Sequence, residues 1–332
     1  METDILRETN FDFLGPKKTG KVRDIYDLPA RGLPVSNAQT GAQAGQPDRL
    51  ILVTTDRHSS FDRIIAHIPW KGQVLNQISG WWFSQTKDIV PNHVLAIPDP
   101  NVTVGKKCTM VPVEAVVRGY LTGVTDTAIW SRYSQGKRDF GGLTLPDGMK
   151  KNQKLPNPIF DPTTKEHTHD RTLTAEEMVA EGFVTRELYA EVKQTALALF
   201  ARGQEIAAKK GLILVDTKYE FGTDEKGQLV LIDEIHTPDS SRYWQLDSYA
   251  ERFASAEEPQ YFDKEFLRLW FREHCDPYKD AVLPDAPKEL VEEMSRRYIQ
   301  MYEQITGGKF VPGETPVLPR IERNLRSYAS RN

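Results

Sequence analysis

Cysteine is scarce. Only Cys108 and Cys275 occur in 332 residues, far apart and outside any C-x-x-C pair. This excludes a disulfide framework and fits a reducing compartment. An excess of one charge is also missing: 43 basic and 47 acidic residues leave a formal net charge of −4. That argues against a general nucleic-acid or anionic-membrane binder and leaves room only for a local basic pocket. No apolar run approaches the ~18 residues that span a bilayer. The opening METDILRETNFDF is acidic and has no apolar core, so a cytoplasmic protein is expected. The Rossmann G-x-G-x-x-G, the Walker A sequence, G-x-S-x-G and H-E-x-x-H are all absent. HTHD at 167–170 has no third His or Cys nearby, which removes the zinc reading and leaves Asp170 as a candidate polar contact.

What is present is an ordinary globular pattern of mixed elements. Apolar stretches KVRDIYDL and RLILVTT read as strands on either side of a Gly/Pro/Ala/Gln-rich loop at 29–48. The spacing of Val74, Leu75, Ile78, Trp81 and Trp82 predicts a helix over 71–87. VPVEAVVRGYL (111–121) reads as a strand, followed by a helix at about 125–134 and a long irregular loop over 136–170. Thr174 and Glu177 form a capping box, and a long helix fills about 185–210 before Gly211. Further helices are expected near 263–274 and 286–305, with GGKFVPGETPVLPR as a surface loop. Strands and helices do not alternate regularly, which predicts the α+β class. The turn VGKKC sets a domain boundary near 110: a β-rich domain at 1–110, and a larger α+β domain at 111–332 that includes the C-terminal helices.

The densest chemistry lies in GLILVDTKYEFG (211–222) and LIDEIHTPDSSR (231–242). Strand alternation puts Leu212, Leu214, Asp216, Lys218 and Glu220 on one face, and Ile213, Val215, Thr217, Tyr219 and Phe221 on the other. A hairpin turn at Asp224–Gly227 sets Thr223 opposite Gln228, and so Asp233 opposite Lys218. Three carboxylates then surround one ammonium. Two readings are open: a solvated face with weak cross-strand ion pairs, or a hard-cation site whose metal is shared with nucleotide phosphates.

Other segments add polar groups at element ends. TPDSSR offers Ser241 and Arg242 in a turn that can cradle phosphate. TGKVRDIYDL places Lys21 and Arg23 after a glycine turn, as a loop covering phosphates would. TTDRHSSFDR ends a strand with Asp56, Ser59 and Asp62, while His58 reads as a surface imidazole. Arg118 follows an apolar strand and precedes a glycine turn.

GKVRDIY, TTDRHSSFD, VEAVVRGYLTG, PIFDPTTKEHTHD, LILVDTKYEFG and DEIHTPDSSRYW occur in that order. Together they resemble the SAICAR synthetase (phosphoribosylaminoimidazole-succinocarboxamide synthase) family over about residues 14–305. Length and the helical C-terminus resemble its larger fungal-type members.

The resemblance implies ATP-dependent ligation of L-aspartate to the carboxylate of the ribotide CAIR, giving SAICAR, ADP and phosphate through an acyl phosphate. It implies ATP and Mg²⁺ as cofactors. Without a coiled-coil heptad or an obvious sticky strand a monomer is expected, and the near-balanced charge and missing apolar span predict no nucleic-acid or membrane partner. The implied fold has an N-terminal antiparallel-sheet domain similar to a kinase small lobe and a larger α+β domain, with ATP in the cleft between them.

By position, Lys21 and Arg23 match the ATP-phosphate loop, Glu220 and Asp233 the magnesium-facing acids, and Lys218 the lysine beside the nucleotide. Arg118, Ser241 and Arg242 match the ribotide site, with Arg268 a looser candidate. Asp56, Ser59 and Asp62 match the loop at the imidazole ribotide, and Lys165 and Asp170 the closing loop. Lys218, Asp216 and Asp170 are the implied catalytic set. Val124 stands where many members have Ser, so aspartate recognition departs from the family pattern; Thr125 or Thr127 can supply the hydroxyl. A small-molecule kinase and an inactive nucleotide-binding scaffold are the competing readings.

Overall fold

Asp24, Tyr26 and Leu28 alternate with half-buried neighbours, so Arg23–Leu28 extends as a strand with one face in a core. The computed structural model describes residues 4–28, 48–124, 127–165, 171–262 and 265–330. Its first strands are β1 (Lys17–Thr19), β2 (Arg23–Leu28), β3 (Arg49–Thr54), β4 (Arg57–Ser60) and β5 (Arg63–His67). Helix α1 (Lys71–Thr86), β6 (Val94–Asp99) and β7 (Val102–Lys106) follow. β1-β2-β3-β7-β6 form a five-stranded sheet and β4-β5 a separate hairpin. The pairing of Arg23–Leu28 with Arg49–Thr54 is antiparallel, as the strands flanking the 29–48 loop predict; residues 29–47 lie outside the described residues.

The next stretch holds β8 (Thr109–Leu121), α2 (Ile129–Ser134), β9 (Asp139–Phe140), β10 (Leu143–Thr144), β11 (Gln153–Phe160) and β12 (Thr163–Thr164). Then come α3 (Ala175–Ala180), α4 (Arg186–Lys209), β13 (Leu212–Thr223), β14 (Leu229–Ile232), β15 (Ser241–Gln245) and α5 (Leu246–Ala254). They build a second sheet in the order β11-β8-β13-β14, with β12 on β8 and β15 on β13, all antiparallel. The α+β expectation is therefore met.

The irregular loop expected over 136–170 is corrected by β11, an eight-residue strand. Its Pro156 and Pro158 hid it. Both lie where its register on β8 shifts, between Lys154 and Ile159, and β11 is an edge strand, where proline is tolerated. The Thr174–Glu177 capping box forms.

The chain ends with α6 (Glu265–His274), α7 (Lys288–Thr306) and α8 (Val317–Ala329). α8 replaces part of the expected surface loop. It buries Val317, Ile321 and Leu325 at helical spacing against Leu6, Tyr26, Val53 and Val104. Contacts divide the chain into two units: residues 1–81, 93–107 and 264–332, and residues 82–92 and 108–263. The division at 107–108 falls close to the expected boundary. The C-terminal helices group with the N-terminal residues rather than with the α+β domain, because α8 completes the first core. Each unit is described by itself below.

Candidate active site

The turn after β13 is one residue longer than the DEKG turn predicts. Asp224 N–H donates to Gln228 O at 3.0 Å, and Thr223 faces Leu229, with Glu220 opposite Ile232. The register is thus shifted by one from the expected pairing, and the ladder stops before Asp233. Asp233 nevertheless acts electrostatically on Lys218. Its left-handed backbone (φ 67°) turns the chain out of the strand, a conformation Asp tolerates better than most residues. Proximity of Asp233 to Lys218 comes from this kink and not from hairpin alternation.

The faces of β13 also differ from simple alternation. Its register on β15 shifts between Leu214 and Asp216, a bulge at Val215 that reverses which set faces where. Ile213 and Val215 pack with Tyr120 and Trp244. Leu214 instead shares the α4 side with Tyr219: a Cβ at Gly203 of α4 would lie 2.6 Å from Leu214 Cδ2 and 2.3 Å from His236 Cε1. His236 Nε2 is itself 2.5 Å from Tyr219 Oη. The opposite face carries Asp216, Lys218 and Glu220, as predicted.

β8 lies alongside and supplies three same-face partners: Arg118 opposite Asp216, Val116 opposite Lys218 and Glu114 opposite Glu220. Lys218 Nζ donates to Glu114 Oε1 at 2.6 Å and to Glu220 Oε1 at 3.2 Å. The ammonium of Lys165, just beyond β12, bonds the other oxygen of Glu220. Burial pulls the Lys218 pKa down, but Glu220 and Glu114, with Asp233 behind them, outweigh it and hold it well above the usual lysine value. Lys218 is therefore a permanent cation and not a base. Among the described residues no group of three or more acidic, His or Cys side chains is spaced to hold a metal by itself.

Two residues along β13, the chemistry changes to guanidinium. Arg242 Nη1 donates to Asp216 Oδ2 at 2.7 Å, and Arg118 Nη1 lies 4.0 Å from the same oxygen. Arg118 Nε donates to Asp161 Oδ2 at 2.7 Å and Nη2 to Thr127 O at 3.2 Å. Arg132 of α2 grips Asp161 with both terminal nitrogens. Burial pushes the Asp161 carboxyl up, but Arg118 and Arg132 more than offset it and hold it below the usual range.

Ser241 is not on this face. It pairs with Thr217, and the two hydroxyls are 2.7 Å apart on the α4 side. The TPDSS turn is closed on itself as well: the N–H groups of Asp239 and Ser240 reach Thr237 Oγ1 at 3.3 Å, and that of Ser241 reaches Thr237 O at 2.9 Å. Asp170 and Thr125 lie outside the described residues.

In the first unit, Gly20–Val22 is the loop between β1 and β2, so Lys21 is on a hairpin tip and not on a strand; Arg23 opens β2. Exposed Lys21 pairs with exposed Asp62 at 2.6 Å. Buried Arg57 ties the loop down, donating to Gly20 O, Lys21 O and Asp24 Oδ1. Asp62 and Phe61 form the two-residue turn of the β4–β5 hairpin, both with positive φ, the geometry of a type I′ turn.

Ser59 is half-buried on β4. Asp56 does structural work: its carboxylate accepts from Leu6 N at 2.8 Å and Gly72 N at 2.9 Å. Burial raises its pKa to about 6, against those two backbone bonds. Arg268 on α6 donates to Ser60 Oγ at 3.2 Å. His58 is fully buried, contrary to the surface reading, with its ring edge-on to Tyr298.

Glu114, Arg132 and Asp161 were not singled out from the sequence. Glu114 had a signal, since it stands two and four positions from Val116 and Arg118 in an apolar strand and so shares their face. Arg132 and Asp161 had none, because 29 residues separate them and only the packing of α2 against β11 joins them.

Guanidinium groups at Asp216, and ammonium and carboxylate two to four residues further along the same strand, equip an enzyme for substrates that bear both phosphate and carboxylate. The family described as SAICAR synthetase matches residues 17–284, and the chain belongs to it. The phosphoribosylaminoimidazole-succinocarboxamide synthase of Legionella pneumophila (strain Lens) is 54% identical over 327 residues, covering 97% of this chain and 98% of its own length. The chloroplastic enzyme of that name from Arabidopsis thaliana is 53% identical over 313 residues, 94% of this chain and 72% of its own length. The SAICAR synthase of Saccharomyces cerevisiae, solved with SAICAR bound, has a TM-score of 0.74 and 31% identity, covering 92% of this chain and all of its own. The bacterial and plant relatives are thus more alike to this chain than the yeast structure, and the fungal-type expectation is not supported.

Proposed function

We propose that this enzyme joins the amine of L-aspartate to the carboxylate of CAIR, with ATP giving ADP and phosphate, in purine biosynthesis. Family membership sets the reaction. The observation that carries it to particular atoms is the single face of β13. There Asp216 holds Arg242 beside Arg118, and two residues on, about 7 Å away at strand rise, Lys218 stands between Glu114 and Glu220. A ribotide with phosphate at one end and a reactive carboxylate at the other suits such a face.

The CAIR carboxylate oxygen attacks the γ-phosphorus of ATP, the bond to the bridging oxygen breaks, and ADP leaves with the electron pair. Aspartate's amine then attacks the acyl carbon, the carbon–oxygen bond to phosphate breaks, and the amine proton is lost. Such transfers depend on position and charge neutralisation more than on covalent help.

Arg118 and Arg242 take the ribotide phosphate, and Asp216 orients Arg242. Lys218, always charged, faces the anion that develops at the transferring phosphoryl group. Lys165 and Asp170, by their match to the family, are assigned to contacts with the reactants. Lys21 and Arg23 take ATP phosphates. Ser59 and Asp62 approach the ribotide, Asp56 shapes their loop, and Arg268 acts beside Ser60. Ser241 supports the sheet through Thr217.

Mg²⁺ binds through one or two carboxylates and completes its shell with water and phosphate oxygens. Glu220 and Asp233 fit that requirement without a protein cage. When bound, the ion neutralises charge on the phosphoryl oxygens. The enzyme is read as a cytoplasmic monomer without nucleic-acid or membrane partners. Among the described residues no helix is long and apolar enough to cross a membrane.

ADP release should require both CAIR and L-aspartate. Turnover with CAIR that ignores aspartate would mean a kinase instead. Arg242→Ala should raise the KM for CAIR at least tenfold and leave that for ATP within twofold; the reverse pattern would remove Arg242 from the ribotide site.

A further inference from the structure

Arg118 and Arg132 meet at one buried carboxylate, Asp161, whose side chain is 6% exposed. The outer edge of the Arg132 guanidinium is occupied. Both terminal nitrogens hold Asp161, and its guanidinium carbon lies 5.1 Å from the centroid of the Phe140 ring. Arg118 is oriented by the same carboxylate through Nε and by Thr127 O through Nη2. Its remaining nitrogen, Nη1, faces Asp216 at 4.0 Å, beyond hydrogen-bond reach. That nitrogen is on the side where Arg242 reaches Asp216. A guanidinium is planar, so fixing two of its nitrogens fixes where the third points.

We infer that Asp161 is a positioning residue: braced by Arg132, it fixes the plane of Arg118 so that Nη1 points beside Arg242 toward the phosphate of the ribotide. The inference rests on the assignment of Arg118 and Arg242 to that phosphate. Asp161 directly follows β11, which ends at Phe160, and its N–H bonds Val116 O at 2.9 Å. The edge strand thus delivers the carboxylate at a set height beside β8. Asp161 also has an opposing effect, because its negative charge weakens the attraction of the cluster for an anion. The two effects predict opposite signs when the charge is removed, so the sign identifies which one matters.

Asp161→Asn keeps the size and removes the charge; Arg132→Lys keeps the charge and removes the fork. Steady-state kinetics with CAIR, ATP and L-aspartate varied in turn, together with a thermal melt, provide the test. Both variants should raise the KM for CAIR about tenfold or more, with kcat at saturating CAIR and the KM for ATP within twofold. A CAIR KM that falls in Asp161→Asn shows a mere counter-charge and overturns the inference. So does an equal loss of kcat with KM unmoved, the sign of general damage. If Asp161→Asn does not fold, Arg132→Lys decides by the same criteria. If both leave the CAIR KM unchanged while Arg242→Ala raises it, Asp161 has no positioning role. If all three leave it unchanged, the phosphate assignment itself fails and this inference goes with it.

Discussion

Lys218 and Glu114 meet across two antiparallel strands, ammonium nitrogen to carboxylate oxygen at 2.6 Å, directly beside the Glu114–Glu220 pair that faces across the same ladder. Two carboxylates opposite one another repel, and Lys218 is the charge between them. Lys218→Met should therefore lower kcat by roughly 10²-fold, about 2.7 kcal/mol of transition-state stabilisation. It should also make the Mg²⁺ requirement more cooperative, since Glu114 loses its ammonium partner and Glu220 keeps only that of Lys165. Initial rates over a Mg²⁺ titration check both; an unchanged kcat would remove Lys218 from the reaction.

Asp233→Asn tests the metal assignment cleanly because Asn accepts a left-handed backbone as readily as Asp, so the kink at φ 67° survives. Turnover should fall roughly 10²-fold with little change in melting temperature. Near-normal rates at saturating Mg²⁺ would falsify the assignment.

Gly203 inverts the ordinary helix rule. Alanine in a helix interior is usually better than glycine by about 1 kcal/mol, yet a Cβ here meets His236 at 2.3 Å and Leu214 at 2.6 Å. Gly203→Ala should destabilise by about 1–3 kcal/mol through overpacking. Urea denaturation gives the value, and a stabilised variant would show that α4 can move off the sheet freely.

His236 gives the fold an acid sensitivity. Burial lowers its pKa to about 3, while the unfolded value is about 6.5. The unfolded chain takes the proton first, so stability is full above about pH 6.5 and falls as pH drops toward 3. Between pH 7 and 5 the loss from this one group is about 2 kcal/mol. His236→Gln, which does not titrate, should show a pH dependence shallower by that amount in urea melts at the two pH values. Parallel curves would mean that another group dominates.

Legibility tracked the range of the interaction. Helices α1, α4 and α7 are readable because their periodicity is local; the stop at Gly211 is left-handed, as is Gly307 after α7. β11 and α8 were missed because prolines in each segment read as loop, although an edge strand and a helix start both accept proline. Asp56 looked like a substrate contact, yet its two oxygens hold backbone N–H groups of residues 50 and 16 positions away.

The sequence by itself determined the family, the α+β class and the grouping of Asp216, Lys218 and Glu220, because strand alternation is a local property. The tertiary structure decided which groups complete them. The bulge at Val215 selected the apolar residues behind the site, the left-handed turn at Asp233 replaced a predicted register, and β8 brought Glu114 and Arg118 alongside. The convergence of Arg132, Asp161 and Arg118 depends on three segments packing together, and no one-dimensional pattern records that.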